Sequence, residues 1–323
     1  MKNIPVIDIA GLLQSIAHDS ADTAVHIATV SESIKHAMND SGFFYISGLS
    51  LKSSVLENVL SAQRTFFALT PEQKNESAIN QDNRGYLASG MAKMHGAKTH
   101  DQKEVFFWGP DLPESHLHMR NKVPLCANNQ WPQQISEFRK AVLDYAAMIK
   151  FIGNALLRAI AHCLDLNDRF FESRYQDSLL RGQLIRYPQT HGTEENFGVA
   201  PHTDFGCLTF LLQQTSGLEV LSGGEWIAAP PIEGTLVVNI GDLLARWSDD
   251  RLPSNVHRVR NNSTEERFSI AVFHDPDPTV SVAPADMNSD TCGYATVSVA
   301  DYILGRNSGA FSHYGNVSKT SGE

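Results

Sequence analysis

The spacing of apolar residues changes its period near residue 180. In the first half they recur at helical intervals, and Val25, Ile27, Val30, Ile34 and Met38 predict a helix over 22–38 with one apolar stripe. Ser41-Gly42 stops it, and the apolar run Phe43 to Ile46 predicts a buried strand, after an extended start over 4–9. A second helix is expected over 50–69, ending before Thr70-Pro71, where proline can open the next one. The longest periodic segment, 132–164, aligns Leu143, Ala147, Ile149, Phe151, Leu156, Ile160 and Leu164 along one side of a long helix. Beyond Leu184 short β-branched and aromatic runs alternate with Gly, Pro and Asn, which predicts strands at 184–187, 208–213, 218–221, 226–228, 235–240 and 268–274. Strands at this rhythm suggest a sandwich or barrel. The stretch 81–131 reads as loop, rich in Gly, His and Pro, of the sort that serves as a lid or binding loop. The expected organisation is one domain over 1–323: a mainly helical buttress to about 180, a β core over about 181–280, and a C-terminal segment over 281–323.

Composition narrows the function classes. The 323 residues are 42% hydrophobic, enough for one large core. A formal net charge of −10 with no Lys/Arg cluster argues against nucleic acid as a partner. Four dispersed cysteines, Cys126, Cys163, Cys207 and Cys292, fit reduced thiols better than disulfides or a thiolate metal site. The start MKNIPVIDIAGLLQ lacks the basic, apolar and small-residue order of a secretory signal, and no apolar run approaches a membrane span. These features point to a cytoplasmic protein with no membrane partner.

The candidate chemistry centres on Pro201-His202-Thr203-Asp204-Phe205-Gly206. On extended chain, alternate residues share a face, so His202 and Asp204 point the same way and offer an imidazole and a carboxylate together. His257, several strands downstream, is the candidate third ligand. Two imidazoles and one carboxylate on one octahedral face leave three positions open, which suits non-haem iron(II) holding a bidentate co-substrate and oxygen. Taken singly, an exposed His–Asp pair is ordinarily polar surface; the joint occurrence with a third element gives the set its weight. That element is Arg267-Phe268-Ser269, whose guanidinium and hydroxyl share one strand face and could seat a carboxylate. Taken alone, Arg267 is equally well explained as part of a charged turn after Glu265 and Glu266.

The ordered set His202-Thr203-Asp204, His257 and Arg267-Phe268-Ser269 resembles the isopenicillin N synthase-like family of 2-oxoglutarate/iron(II)-dependent oxygenases. Tyr187-Pro188, Gly217-Leu218-Glu219-Val220, Trp226, Asn239-Ile240-Gly241-Asp242, and the N-terminal Ile4-Pro5-Val6-Ile7-Asp8 and Gly42-Phe43-Phe44-Tyr45-Ile46 extend the likeness from residue 4 to about 280. The resemblance implies a mixed α/β fold with an all-β core, a distorted double-stranded β-helix (jelly roll) flanked by N-terminal helices. It implies iron ligation by His202, Asp204 and His257. It also implies that Arg267 and Ser269 hold the distal carboxylate of 2-oxoglutarate, with Tyr187 as a third contact. Iron(II), 2-oxoglutarate and O2 would then drive oxidation, most often hydroxylation, of a small organic substrate. Relatives often carry Asn-Tyr-Tyr-Pro where this chain has Ile185-Arg186-Tyr187-Pro188, which removes one polar contact and leaves Arg186 as either a substrate contact or a surface charge.

Substrate contacts are expected at Phe205, Tyr86, Phe107 and Phe273, each of which could instead be core packing. Lys93 reads as a solvated charge. The irregular spacing of His95, His100, His116 and His118 suits ordinary loop histidines better than a second metal site. Two rival functions stand beside the main reading: an iron oxidase of the same fold that does not use 2-oxoglutarate, and a non-catalytic binding or sensor protein.

Overall fold

The computed structural model describes residues 3–49, 53–91, 101–189, 197–260, 265–287 and 293–310. Up to residue 163 the chain forms β1 (Val6–Asp8), α1 (Ala10–Ala17), α2 (Thr23–Asp40), β2 (Phe43–Ser47), α3 (Ser53–Phe67), α4 (Pro71–Asn75), β3 (Gly85–Leu87), β4 (Glu104–Trp108), α5 (Leu117–Arg120) and α6 (Phe138–Cys163). Then follow β5 (Leu179–Tyr187), β6 (Phe197–His202), β7 (Leu208–Gln213), β8 (Leu218–Ser222), β9 (Glu225–Ala228), β10 (Leu236–Ile240), α7 (Asp242–Trp247), β11 (His257–Arg260), β12 (Arg267–Asp275), β13 (Ser281–Val282), β14 (Val297–Ser298) and α8 (Val299–Ala310).

Two sheets form the jelly roll. The larger has the order β1-β2-β10-β7-β12-β5-β4-β3, and the smaller β6-β11-β8-β9. Strand alternation sorts the larger sheet's side chains onto two faces. Phe44, Ile46, Leu184, Phe210, Val238, Ile270 and Val272 join the helices in the main core. Phe43, Tyr45, Ile185, Tyr187, Val237 and Ala271 face the smaller sheet in a second core. Every strand expected from the second half is present within a few residues of its predicted bounds. The stretch read as loop contributes β3 and β4 at one edge of the large sheet, pairing onto β5. Its short runs, Gly85–Leu87 and Glu104–Trp108, are too brief to show a period of their own.

The helices agree with the expected phase less closely than the strands do. α2 buries Ile27, Val30, Ile34, Ala37 and Met38, but Val25 is 64% exposed. α6 begins at Phe138 rather than Pro132, and its buried stripe runs through Val142, Tyr145, Ile149, Ile152, Leu156 and Ile160. Leu143, Ala147 and Phe151 form an i, i+4 row one step round from that stripe: Leu143 is half-buried, while Ala147 and Phe151 are exposed. A phase started from Leu143 picks up this neighbouring row. α6 is long and apolar enough to cross a membrane by composition, yet 56% of its most apolar window is buried, against α2 and α3 among others.

Candidate metal centre and its cavity

His202 closes β6 and His257 opens β11, and the antiparallel register sets the two residues directly opposite each other. Their rings are 4.3 Å apart between centroids. Asp204, two residues past His202, brings Oδ1 to 3.8 Å from His202 Nε2 and 3.7 Å from His257 Nε2. The three donor atoms lie within 4.8 Å of one another, and the second imidazole points toward the first pair.

Each side chain is held by a neighbour. His202 Nδ1 lies 2.8 Å from the Ala200 carbonyl, and His257 Nδ1 lies 3.2 Å from that of Asn255. A carbonyl can only accept, so each Nδ1 carries a proton, and each Nε2 faces the shared centre. Phe43 packs edge-on against His257. Thr209 Oγ1 and Asn239 Nδ2 donate to Asp204 Oδ2 at 2.6 and 2.8 Å, which turns Oδ1 toward the imidazoles. Burial, and then the His257 charge, push the His202 pKa down to about 3, so the ring is neutral and free to ligate. Burial would raise Asp204, but the His257 and His202 imidazoles and the two donors outweigh it and hold the carboxyl below its usual range. Two imidazole nitrogens beside a carboxylate oxygen are a donor set that suits a divalent iron ion. Sequence reasoning misses Thr209, and it meets Asn239 only within the Asn239-Ile240-Gly241-Asp242 likeness, with no role assigned. Nothing in their spacing announces them; only the sheet register brings β7 and β10 beneath Asp204.

Arg267 and Ser269 point to the same face of β12, and each is 1% exposed. The guanidinium reaches Ser269 Oγ and Gln213 Oε1, both at 3.4 Å, and lies 4.7 Å from the centre of the Tyr187 ring. Its Nε has no partner, and no carboxylate pairs with it among the described residues. A buried, fully charged guanidinium with only neutral acceptors at long range favours an incoming anion.

A cavity opens in front of the triad, lined by His202, Asp204, His257, Tyr187, Thr209 and Asn239. Arg267 is not itself among the lining residues, but its guanidinium lies against the ring of Tyr187, which is. Of the expected substrate contacts, Phe107, Phe205 and Phe273 line this cavity. Tyr86 does not. Its hydroxyl donates to Glu104 Oε1 at 2.6 Å and its ring packs on Phe66 in the helical core, because on β3 the cavity face belongs to the neighbouring Leu87. Polar groups that the sequence does not suggest also line it: Lys103, Arg181, Gln183 and Asn307. Asp275, wholly buried, joins two parts of the site, accepting from the Cys207 amide at 2.7 Å and from Arg181 at 2.8 Å.

Arg186 pairs with Glu104 Oε2 at 2.8 Å and with Glu266, and it is not among the cavity's lining residues. It is a cross-strand ion pair rather than a substrate contact. Lys93, His95 and His100 lie outside the described residues.

Removing the Asp204 supports tests the geometry without touching a ligand. Asn239→Ala is expected to weaken iron binding roughly 10–100-fold, the usual scale for an orienting partner. Iron titration followed by the absorbance of the iron–2-oxoglutarate complex would check this, and wild-type affinity would remove Asn239 from the site.

Family models match most of the chain. The 2OG-Fe(II) oxygenase superfamily model covers residues 171–276, and the model for the N-terminal region of non-haem dioxygenases in morphine synthesis covers 4–134. The chain is 33% identical over 299 residues to the 2-oxoglutarate-dependent dioxygenase caaD of Aspergillus niger, covering 89% of each. It is 32% identical to the Arabidopsis thaliana homoarginine-6-hydroxylase 2-ODD-C23.1, covering 88% of each. Among solved structures it is similar to a full-length Neurospora crassa protein in complex with alpha-KG and thymine. That match has a TM-score of 0.79 and 27% identity, covering 94% of this chain and 96% of that one.

Proposed function

The chain belongs to the 2OG-Fe(II) oxygenase superfamily, and from that premise we propose that His202, Asp204 and His257 are its iron ligands and that it hydroxylates a small, flat, acceptor-bearing molecule in the cavity before them. It is an iron(II)- and 2-oxoglutarate-dependent dioxygenase.

The observation that carries the residue assignment is the pairing of two features beside one cavity: a converged two-imidazole, one-carboxylate face and a buried guanidinium lacking an anion. Iron(II) bound at the triad supplies the oxygen activation that couples decarboxylation of 2-oxoglutarate to substrate oxidation. The chain's own residues do the positioning. Arg267 and Ser269 take the distal carboxylate of 2-oxoglutarate, with Tyr187 against its chain. Asn239 and Thr209 keep Asp204 Oδ1 aimed at the shared centre. The aromatic walls Phe107, Phe205 and Phe273 hold a flat substrate and limit water around the reacting carbon.

Cavity chemistry supports the substrate class. Arg181, Lys103, Gln183 and Asn307 offer N–H donors, which suit carbonyl or carboxylate oxygens. The Neurospora crassa structure holds thymine, a flat ring with carbonyl oxygens, beside alpha-KG. The test is a screen of small heterocycles, aromatic acids and amino-acid derivatives for succinate formed above the uncoupled background. One succinate per oxygen with a product heavier by one oxygen atom is the expected result. Oxygen uptake without succinate would favour the oxidase reading.

A further inference from the structure

Two histidines outside the iron centre meet two aspartates from distant segments, and we propose that His118, Asp177 and Asp277 form a second, zinc-type divalent cation site, with His116 beside it. His118 lies in α5, Asp177 just before β5, and Asp277 two residues beyond β12. His118 Nε2 is hydrogen-bonded to Asp277 Oδ2 at 2.9 Å, and one ligand atom from each of the three residues lies within 4.8 Å of the others. Zinc bonded at about 2.1 Å to tetrahedral N and O ligands sets those atoms roughly 3.4 Å apart, so an ion would replace the His118–Asp277 hydrogen bond and part that pair by about 0.5 Å.

The surrounding hydrogen bonds aim the donors. Asp277 Oδ1 accepts from the Thr279 amide at 2.8 Å and its hydroxyl at 2.6 Å, which leaves Oδ2 turned toward His118. His116 Nδ1 accepts the His118 amide at 3.2 Å, so its proton sits on Nε2, 3.5 Å from Asp177 Oδ1. His116 is therefore a neighbour of a ligating carboxylate rather than a ligand itself. The charge balance points the same way. Two carboxylates converge here, and among the described residues neither has a lysine or arginine partner. Side-chain exposures of 9% for His118, 16% for Asp277 and 49% for Asp177 leave one open side, through which an ion and a completing water can enter.

The irregular histidine spacing in the sequence gives no sign of this grouping, because two of the three ligands are aspartates far downstream. An ion here would tie α5 to the end of β12, close to Asp275, which steadies both Arg181 and the loop after Asp204.

The experiment counts zinc bound by tag-free protein in equilibrium dialysis at micromolar zinc and neutral pH, with elemental analysis. Wild type should hold two equivalents, one at the iron triad. Asp177→Asn and His202→Ala should each hold one, and the double variant none. Zinc should raise the melting temperature of His202→Ala but not of the double variant. Asp177 is half-exposed, so its substitution leaves the core intact. Saturation of wild type at one equivalent, or two equivalents retained by Asp177→Asn, would overturn the proposal. Two equivalents retained by His202→Ala would instead count against the iron assignment, which keeps the two readings apart.

Discussion

Replacing His202 or Asp204 with alanine is expected to bring succinate formation down by roughly three orders of magnitude or more, to background, in a chain that still folds. The size follows from what the ligands supply. A metal acting on an oxygen substrate contributes several kcal/mol, and each ~1.4 kcal/mol is a factor of ten in rate. The fold survives because both residues sit at or just past a strand end and pack on the cavity rather than within either core. In the His202 variant, Asp204 Oδ2 is still held by Thr209 and Asn239, so the remaining pair keeps its geometry. Circular dichroism, thermal melting and iron titration would accompany the rate measurement. A soluble variant with most of its activity would show that the ligand set is wrong.

Arg267→Ala should act on the co-substrate. Removing one partner of a buried, hydrogen-bonded charge pair costs about 2–5 kcal/mol, equivalent to a roughly 30-fold or larger rise in the apparent requirement for 2-oxoglutarate. The effect should fall on the Michaelis constant for 2-oxoglutarate more than on that for the primary substrate, since the guanidinium lies against Tyr187 and not in the cavity lining itself. Arg267→Lys keeps the charge but not the planar fork, and should recover only part of the loss. An unchanged 2-oxoglutarate requirement would move the carboxylate seat elsewhere.

The sequence is most legible where period-two alternation decides burial. Arg267 and Ser269 are placed on one face of β12 by strand geometry alone, while His202 ends β6 and Asp204, two residues beyond the strand, still turns toward the same centre as the extended reading expects. Helical phase is less secure: the apolar row through Leu143 and Phe151 competes with the true stripe through Tyr145 and Ile149, and only packing against α2 and α3 decides between them. Tyr86 departs from expectation for a related reason, since a three-residue strand gives too few positions to set its parity, and the neighbouring Leu87 takes the cavity face. The supporting roles of Thr209, Asn239 and Asp275 are not legible in the sequence for a different reason. Their roles depend on which strands lie side by side, and the order β10-β7-β12 is written in long-range pairing rather than in any local pattern.

That strand order also governs how the chain can be made. β2 lies between β1 and β10, with Phe44 opposite Val238, and the full length of β5 is matched to β12. A ribosome therefore emits β2 long before its neighbour β10 exists, and β5 long before β12. Such distant partners make closure slow and leave newly synthesised chains exposed to aggregation. The imidazole pair assembles only after β11 has emerged, so iron has no complete pocket to enter before residue 257 is made.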